Sequence, residues 1–178
     1  MAALKRSVAL IGMMGAGKTT VGRRLAGRLD APFHDADAEI EAAAGCTINE
    51  IFARFGEAEF RDGERRVILR LLGGTPHVLA TGGGAILDAA TRTRIAENAV
   101  SVWLRAPVEL LLARVERRNT RPLLKSGNLR EKLERLLGER EPFYAQADIV
   151  VDAAEAPHGI TVERILAALA GKGFVDLK

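Results

Sequence analysis

Apolar positions along this chain fall into short dense runs alternating with stretches of helical spacing. The run "SVALI", residues 7–11, reads as a buried strand. Val21, Leu25 and Leu29 follow at four-residue intervals and give the next segment one apolar helical face. "PFHDAD" reads as a short second strand ending in acidic residues. In "TINEIFARFG", Thr47 and Glu50 have capping-box spacing, Ile48, Ile51, Phe52 and Phe55 keep the helical period, and Gly56 supplies a stop. A further helix runs through Val67, Ile68, Leu71 and Leu72. "HVLAT" is a third strand, stopped by Gly82, Gly83 and Gly84, and "AVSVWL" is a fourth. Val108, Leu111, Leu112 and Val115 mark one more helix, and Leu129, Leu133, Leu136 and Leu137 the next. "DIVV" is the fifth strand, and Val162, Ile165, Leu166 and Leu169 form a closing helix. Strands separated by helices predict an α/β fold: a parallel sheet with helices on both faces. Ligands in such sheets bind beyond the carboxyl ends of the strands.

The segment after the first strand, "GMMGAGKTT", fits G-x-x-x-x-G-K-[ST] with Gly12, Gly17, Lys18 and Thr19 in the fixed places. In a strand–loop–helix context this is a phosphate-binding loop. Backbone N–H groups at Gly15, Ala16, Gly17 and Thr20 turn toward phosphate oxygens, and the following helix adds its positive end. Lys18 reaches the outer phosphates and the Thr19 hydroxyl serves Mg²⁺. The chain has no Asn-Lys-x-Asp guanine-reading motif. The best candidate for a metal-binding strand ends in "VLATGGG" rather than in an aspartate. Both absences favour a small-molecule or nucleotide kinase over a switch or a hydrolytic motor.

Asp35 and Asp37 flank Ala36 at the end of the second strand. If the strand continues, alternation puts both on one side, where one can serve the metal through water and the other an acceptor hydroxyl. Asp37 is equally placed to cap the helix "AEIEAAA". Arg61 in "EAEFRDGERR" and Arg140 in "GEREPFY" are surface charges taken singly. Converging, they would hold a carboxylate or phosphate by charge-assisted pairs. Three successive glycines, Gly82 to Gly84, bury no side chain and point to close backbone approach to a ligand. "RRNTRPLLKSGN" is basic and interrupts two helical patterns, which suits a lid that carries Arg121 over the phosphates and excludes water.

Composition narrows the picture without redirecting it. The 178 residues suit one domain, and no apolar run is long enough to cross a membrane. The net charge of +3 suits anionic small molecules, and with 4% aromatics and no nucleic-acid-binding motif it carries no nucleic-acid reading. The stretch before the first strand is too short for a signal peptide, and one cysteine, Cys46, fits a reducing cytoplasmic setting. His34, His77 and His158 lack metal-ligand spacing, and Trp103 reads as core.

In order, "LIGMMGAGKTTVGRRLA", "DADAEIE", "IFARFGEAEFR", "TGGGA", "RNTRPLL" and "EREPFY" resemble the shikimate kinase family over nearly the whole chain. The loop alone is common; the later segments in this order are far more specific. The resemblance implies a P-loop NTPase-type, nucleoside-monophosphate-kinase-like fold, with a five-stranded parallel sheet of order 2-3-1-4-5. It also implies a single domain over residues 1–178, with a substrate-binding segment at about 36–64 and a lid at about 115–128. By the same resemblance, ATP with Mg²⁺ phosphorylates the 3-hydroxyl of shikimate, in a protein that is usually monomeric. Asp37 holds the shikimate hydroxyls and acts as base, with Lys18 and Arg121 completing the catalytic set. Asp35 supports Mg²⁺ through water. Arg61, Arg140 and Gly82 to Gly84 line the shikimate pocket, and Arg121 contacts the phosphates. Arg114 and Pro157 are the adenine-side candidates, although "VDAAEAPHG" lacks the basic residue expected before its proline. Two rival readings stand beside it. One is another small-molecule kinase, such as a gluconate kinase. The other is a nucleotide-binding module without turnover.

Overall fold

The computed structural model describes residues 4–118, 128–153 and 157–175. Arg121 and most of the expected lid lie outside the described residues. Strand β1 (Ser7–Ile11) is buried along its whole length and takes the centre of the sheet. Its partners are β3 (Val78–Ala80) and β4 (Ala99–Arg105), both parallel to it. Parallel β2 (Phe33–Asp35) and β5 (Ile149–Asp152) complete the two sides. The order is β2-β3-β1-β4-β5, as the family resemblance implied. A central strand with both faces covered must be apolar throughout, and Val8 to Ile11 meet that requirement.

The helices are α1 (Lys18–Leu29), α2 (Ala36–Ala44), α3 (Ile48–Leu72), α4 (Ala89–Asn98), α5 (Val108–Arg118), α6 (Leu129–Tyr144) and α7 (His158–Gly171). The main core packs the sheet against α1 through Val21 and Leu25 and against α7 through Ile165 and Leu169. Helix α1 lies so close to β2 that a Cβ on Gly22 would meet the Phe33 ring at 2.6 Å. A second, smaller core of Ile40, Ile51, Phe60 and Val67 joins α2 to α3. The segment from about 36 to 64 therefore has its own apolar support, set beside the sheet. Among the described residues no helix is long and apolar enough to cross a membrane.

Three local features differ from the sequence reading. The second strand stops at Asp35, so the two aspartates do not share a strand face. Asp35, not Asp37, caps α2: its Oδ1 accepts from the N–H groups of Asp37 and Ala38 at 3.0 and 3.3 Å. Asp37 sits in the first helical turn instead. Gly56 does leave helical geometry (φ 83°, ψ 176°), yet the helix resumes and continues to Leu72 with a kink. Its start carries the expected capping box between Thr47 and Glu50. Helix α4, capped by Asp88, was not anticipated, because only Thr91 and Ile95 of its residues are buried and no apolar stripe reveals it.

Candidate active site

Between β1 and α1 the chain turns through glycines that other residues cannot replace. Gly12 has φ 143°, and a Cβ there would stand 2.8 Å from the Leu104 carbonyl oxygen. Gly17 is left-handed at the N-cap of α1, so the helix begins at Lys18 with its unpaired N–H groups directed at the loop. Lys18 Nζ donates to the carbonyls of Gly12 and Met13 at 2.7 and 2.9 Å, which folds the cation back over the loop. Thr19 Oγ1 donates to Asp35 Oδ2 at 2.6 Å and ties the loop to the end of β2. Arg114 reaches in from α5 and donates to the Gly15 carbonyl at 3.1 Å. Gly15, Gly17, Lys18, Thr19, Asp35 and Arg114, together with Thr20, Asp37 and His158, line a cleft of about 260 Å³. Ala16 is buried behind the loop, and Pro157 is exposed at the start of α7, outside that lining.

The glycine run after β3 forms the floor of a second compartment. None of the three has a left-handed φ, so their smallness rather than their freedom is what the site needs. A Cβ on Gly82 would stand 2.6 Å from Glu64 Oε2 and 3.4 Å from Asp37 Oδ1. One on Gly83 would meet Arg140 Nη1 at 2.9 Å, and one on Gly84 would meet Arg61 Nη2 at 2.6 Å. The glycines thus make room for charged side chains, Glu64 and Asp37 at Gly82, Arg140 at Gly83 and Arg61 at Gly84. Through them Asp37, Arg61 and Arg140 surround a narrow space of about 50 Å³, contiguous with Met14 of the loop. Arg140 is 2% exposed, and its Nε has no hydrogen-bond partner among the described residues. A buried guanidinium left short of partners is costly unless an anion is bound beside it.

Glu64, in the lining of this compartment, and Tyr144, bonded to its Gly83, escaped the sequence reading. Glu64 is 3% exposed and accepts from Arg61 Nη1 at 2.8 Å, while its Oε2 has no partner among the described residues. Burial pushes its carboxyl above the usual range; Arg61 pulls the other way, and the nearby Asp37 charge adds to the rise. In sequence Glu64 is one acid among many near Arg61, and an i, i+3 pair is ordinary on a helix surface. Tyr144 is fully buried, packs against Trp103 at 5.7 Å between centroids, and donates its hydroxyl to the Gly83 carbonyl. Burial drives its pKa to about 12. Its place at the end of "EREPFY" was visible, but nothing local revealed a partner 61 positions away.

A phosphate loop at the head of a 2-3-1-4-5 parallel sheet, opening onto a second polar compartment, defines a P-loop kinase of the nucleoside-monophosphate-kinase-like type. A family model described as shikimate kinase matches residues 14–170. Shikimate kinase from Bradyrhizobium diazoefficiens is 56% identical over 164 residues, covering 92% of this chain and 79% of that protein. The one from Nitrobacter winogradskyi is 57% identical over 164 residues, covering 92% and 77%. The structure of a shikimate kinase from Acinetobacter baumannii in complex with shikimate superposes with a TM-score of 0.92 at 40% identity, covering 94% of each chain. The chain belongs to the shikimate kinase family.

Proposed function

We propose that this chain transfers the γ-phosphoryl group of ATP to the 3-hydroxyl of shikimate. The products are shikimate 3-phosphate and ADP, on the route to chorismate and the aromatic amino acids. The observation that carries the reading is the convergence of Arg61 and Arg140 on adjacent glycines beside Asp37, at the inner end of the phosphate cleft. Shikimate is a small carboxylate bearing hydroxyls. Two guanidinium groups suit its carboxylate and one aspartate suits its hydroxyls.

The donor set at the outer end is right for Mg²⁺. Thr19 and Asp35 present hard oxygen atoms 2.6 Å apart, and magnesium keeps several waters while using one or two protein ligands with phosphate oxygens. Thr19 would hold the ion directly and Asp35 through water; when bound, Mg²⁺ neutralises charge on the phosphate oxygens. Phosphoryl transfer asks the protein mainly for alignment and positive charge. Gly15 to Thr20 cradle the phosphates with backbone N–H groups. Lys18 swings from the Gly12 and Met13 carbonyls to the β- and γ-oxygens. Arg140 and Arg61 fix the carboxylate, so that ring rotation cannot carry the 3-hydroxyl off line. Asp37 accepts that hydroxyl's hydrogen bond, points its lone pair at phosphorus and receives its proton as the bond to phosphorus forms. Arg121, outside the described residues, joins this reading as the lid group on the phosphates, with Arg114 and Pro157 on the nucleoside side. Glu64 holds the Arg61 fork at its angle, and Tyr144 fixes the Gly83 peptide.

The chain is read as one kinase domain with its substrate segment near 36–64 and its lid near 115–128. It works as a monomer in the cytoplasm, with no nucleic-acid or membrane partner; the lone Cys46 supports a reducing compartment. The test is the regiochemistry of the product. Phosphorus–proton coupling in the NMR spectrum of the isolated product should place the phosphate on the oxygen of carbon 3. Phosphate on another hydroxyl, or no phosphorylated shikimate, contradicts the reading.

A further inference from the structure

Helices α2 and α3 enclose an opening of about 480 Å³ that shares no lining residue with the nucleotide cleft. A space of this size admits a small ligand. Its floor is the smaller core, where Ile40, Ile51, Phe60 and Val67 come to the surface of the opening. The Phe55 ring stands at its edge, 61% exposed. Gly63 lines it too, inside α3 at an ordinary helical position. Glycine there is destabilising relative to alanine. A Cβ on Gly63 would meet nothing within 4 Å, so neither packing nor backbone geometry calls for the missing side chain. What its absence preserves is the opening.

The rim decides what fits. Its charged residues, among those described, are Arg66 and Arg70, one turn apart on α3, and Glu59. Arg66 Nη2 stands 3.0 Å from Asp62 Oδ2 and 3.9 Å from Glu59 Oε1, and Arg70 Nη2 stands 3.4 Å from Glu39 Oε2. A guanidinium carries five N–H donors, and these contacts use few of them. Both side chains are more than half exposed and free to turn over the opening. Cations outnumber acids in the lining. An apolar body bearing one carboxylate is the complement: its rings lie on the Ile40–Phe60 floor and its charge meets the arginine forks.

Phe60 connects this opening to the acceptor compartment, because it lines both. The Arg61 guanidinium lies over the Phe60 ring, with Cζ 5.2 Å from the centroid. The compartment beyond is narrow, about 50 Å³, so admitting shikimate requires its walls to part. The open space behind Phe60 is where that wall can go. An occupant of the opening takes the room away and holds Phe60, with Arg61 upon it, against the acceptor side.

We infer that the opening between α2 and α3 is a regulatory site for a small apolar carboxylate, whose binding opposes that of shikimate through Phe60 and Arg61. The inference rests on the proposed reading of the Arg61 compartment as the shikimate site. Calorimetric titration of the full chain with 2-naphthoate, and with 2-naphthylmethanol as its uncharged counterpart, tests it. Wild type should bind naphthoate, and the alcohol about tenfold more weakly; Arg70→Gln should lose about tenfold on naphthoate. Gly63→Leu fills the opening and should abolish naphthoate binding, whereas Gly63→Ala should stay within about threefold of wild type. Thermal unfolding checks each fold. Shikimate titrated at rising naphthoate should show a Kd that climbs about fivefold and then levels off, since a ligand at a separate site shifts an affinity by a fixed factor. Gly63→Leu should start from a raised shikimate Kd and show no further rise. A Kd that climbs without levelling, with Arg70→Gln and Gly63→Leu still binding naphthoate as wild type does, puts naphthoate on Arg61 and Arg140 and overturns the inference. Wild type that does not bind naphthoate, or binds it with the shikimate Kd unmoved, overturns it as well. The reading of the compartment fails by a different sign: wild type that binds no shikimate when naphthoate is absent.

Discussion

Gly84→Ala separates the geometry of the acceptor compartment from the stability of the fold. The new Cβ would stand 2.6, 2.7 and 2.8 Å from Nη2, Nη1 and Cζ of Arg61. Ordinary contact begins near 3.4 Å, so the guanidinium must retreat by about 0.8 Å (3.4 less 2.6). A shift of that size stretches a hydrogen bond of about 2.8 Å beyond 3.5 Å, where little of it remains. A hydrogen bond to a charged group contributes about 1.5–3 kcal/mol. The KM for shikimate should therefore rise roughly 10- to 150-fold at saturating ATP. The KM for ATP should hardly move. The fold should survive, because Gly84 has φ −93° and ψ −4°, open to any residue, and the displaced atoms end a flexible chain. Gly12→Ala is the contrast: its Cβ meets a backbone carbonyl at 2.8 Å with φ at +143°, so that variant should lose structure. The assay is initial-rate ADP release over a shikimate series, with thermal unfolding on the same samples. A shikimate KM within twofold of wild type, in a Gly84→Ala protein of native melting temperature, would refute the placing of the substrate carboxylate on Arg61.

Other consequences are as direct. Asp37→Asn should keep ATP affinity and lose most turnover, at least about 100-fold, since acid–base groups contribute about 10²–10⁴; near-normal turnover removes Asp37 from the reaction. Burial raises the Glu64 carboxyl, so the folded chain binds that proton more tightly than the unfolded chain does. The resulting stability is complete below the unfolded value and is lost as pH rises through the folded one. The melting temperature of Glu64→Gln relative to wild type should therefore climb from pH 4.5 toward neutrality, and a gap that ignores pH argues against a buried, strained carboxylate. Tyr144 is the only tyrosine, so phenolate absorbance reads it alone. The native protein should show none near pH 10.5, since its pKa is about 12, and ionisation at the ordinary value in folded protein would contradict its burial.

What the sequence made visible was what depends on local spacing. The phosphate loop, the Thr47–Glu50 capping box and the alternation of strand and helix each occupy a few consecutive residues. The roles of Asp35 and Asp37 were exchanged at the cap because the end of β2 is decided elsewhere. Asp35 pairs with Ala80, the last residue of β3, so the edge strand loses its neighbour just as the glycine run begins. Local reading could not see that limit. Glu64 and Tyr144 were missed because their meaning lies in contacts with Gly82 and Gly83, far along the chain. His158 was dismissed as a metal ligand, and only the fold sets it against Gly17. The two arginines could be named but not joined; the glycine run, read as room for a ligand, proves also to be the room in which they converge.

The central claim is that the loop hands its phosphate to shikimate and to little else. ADP release measured with ATP and Mg²⁺, with shikimate as acceptor and with gluconate, a nucleoside monophosphate or no acceptor as controls, tests it most directly. The account predicts ADP only in the shikimate reaction, in equal amount to the shikimate consumed. ADP formed as fast with another acceptor or with none, or ATP bound without any ADP formed, would contradict it.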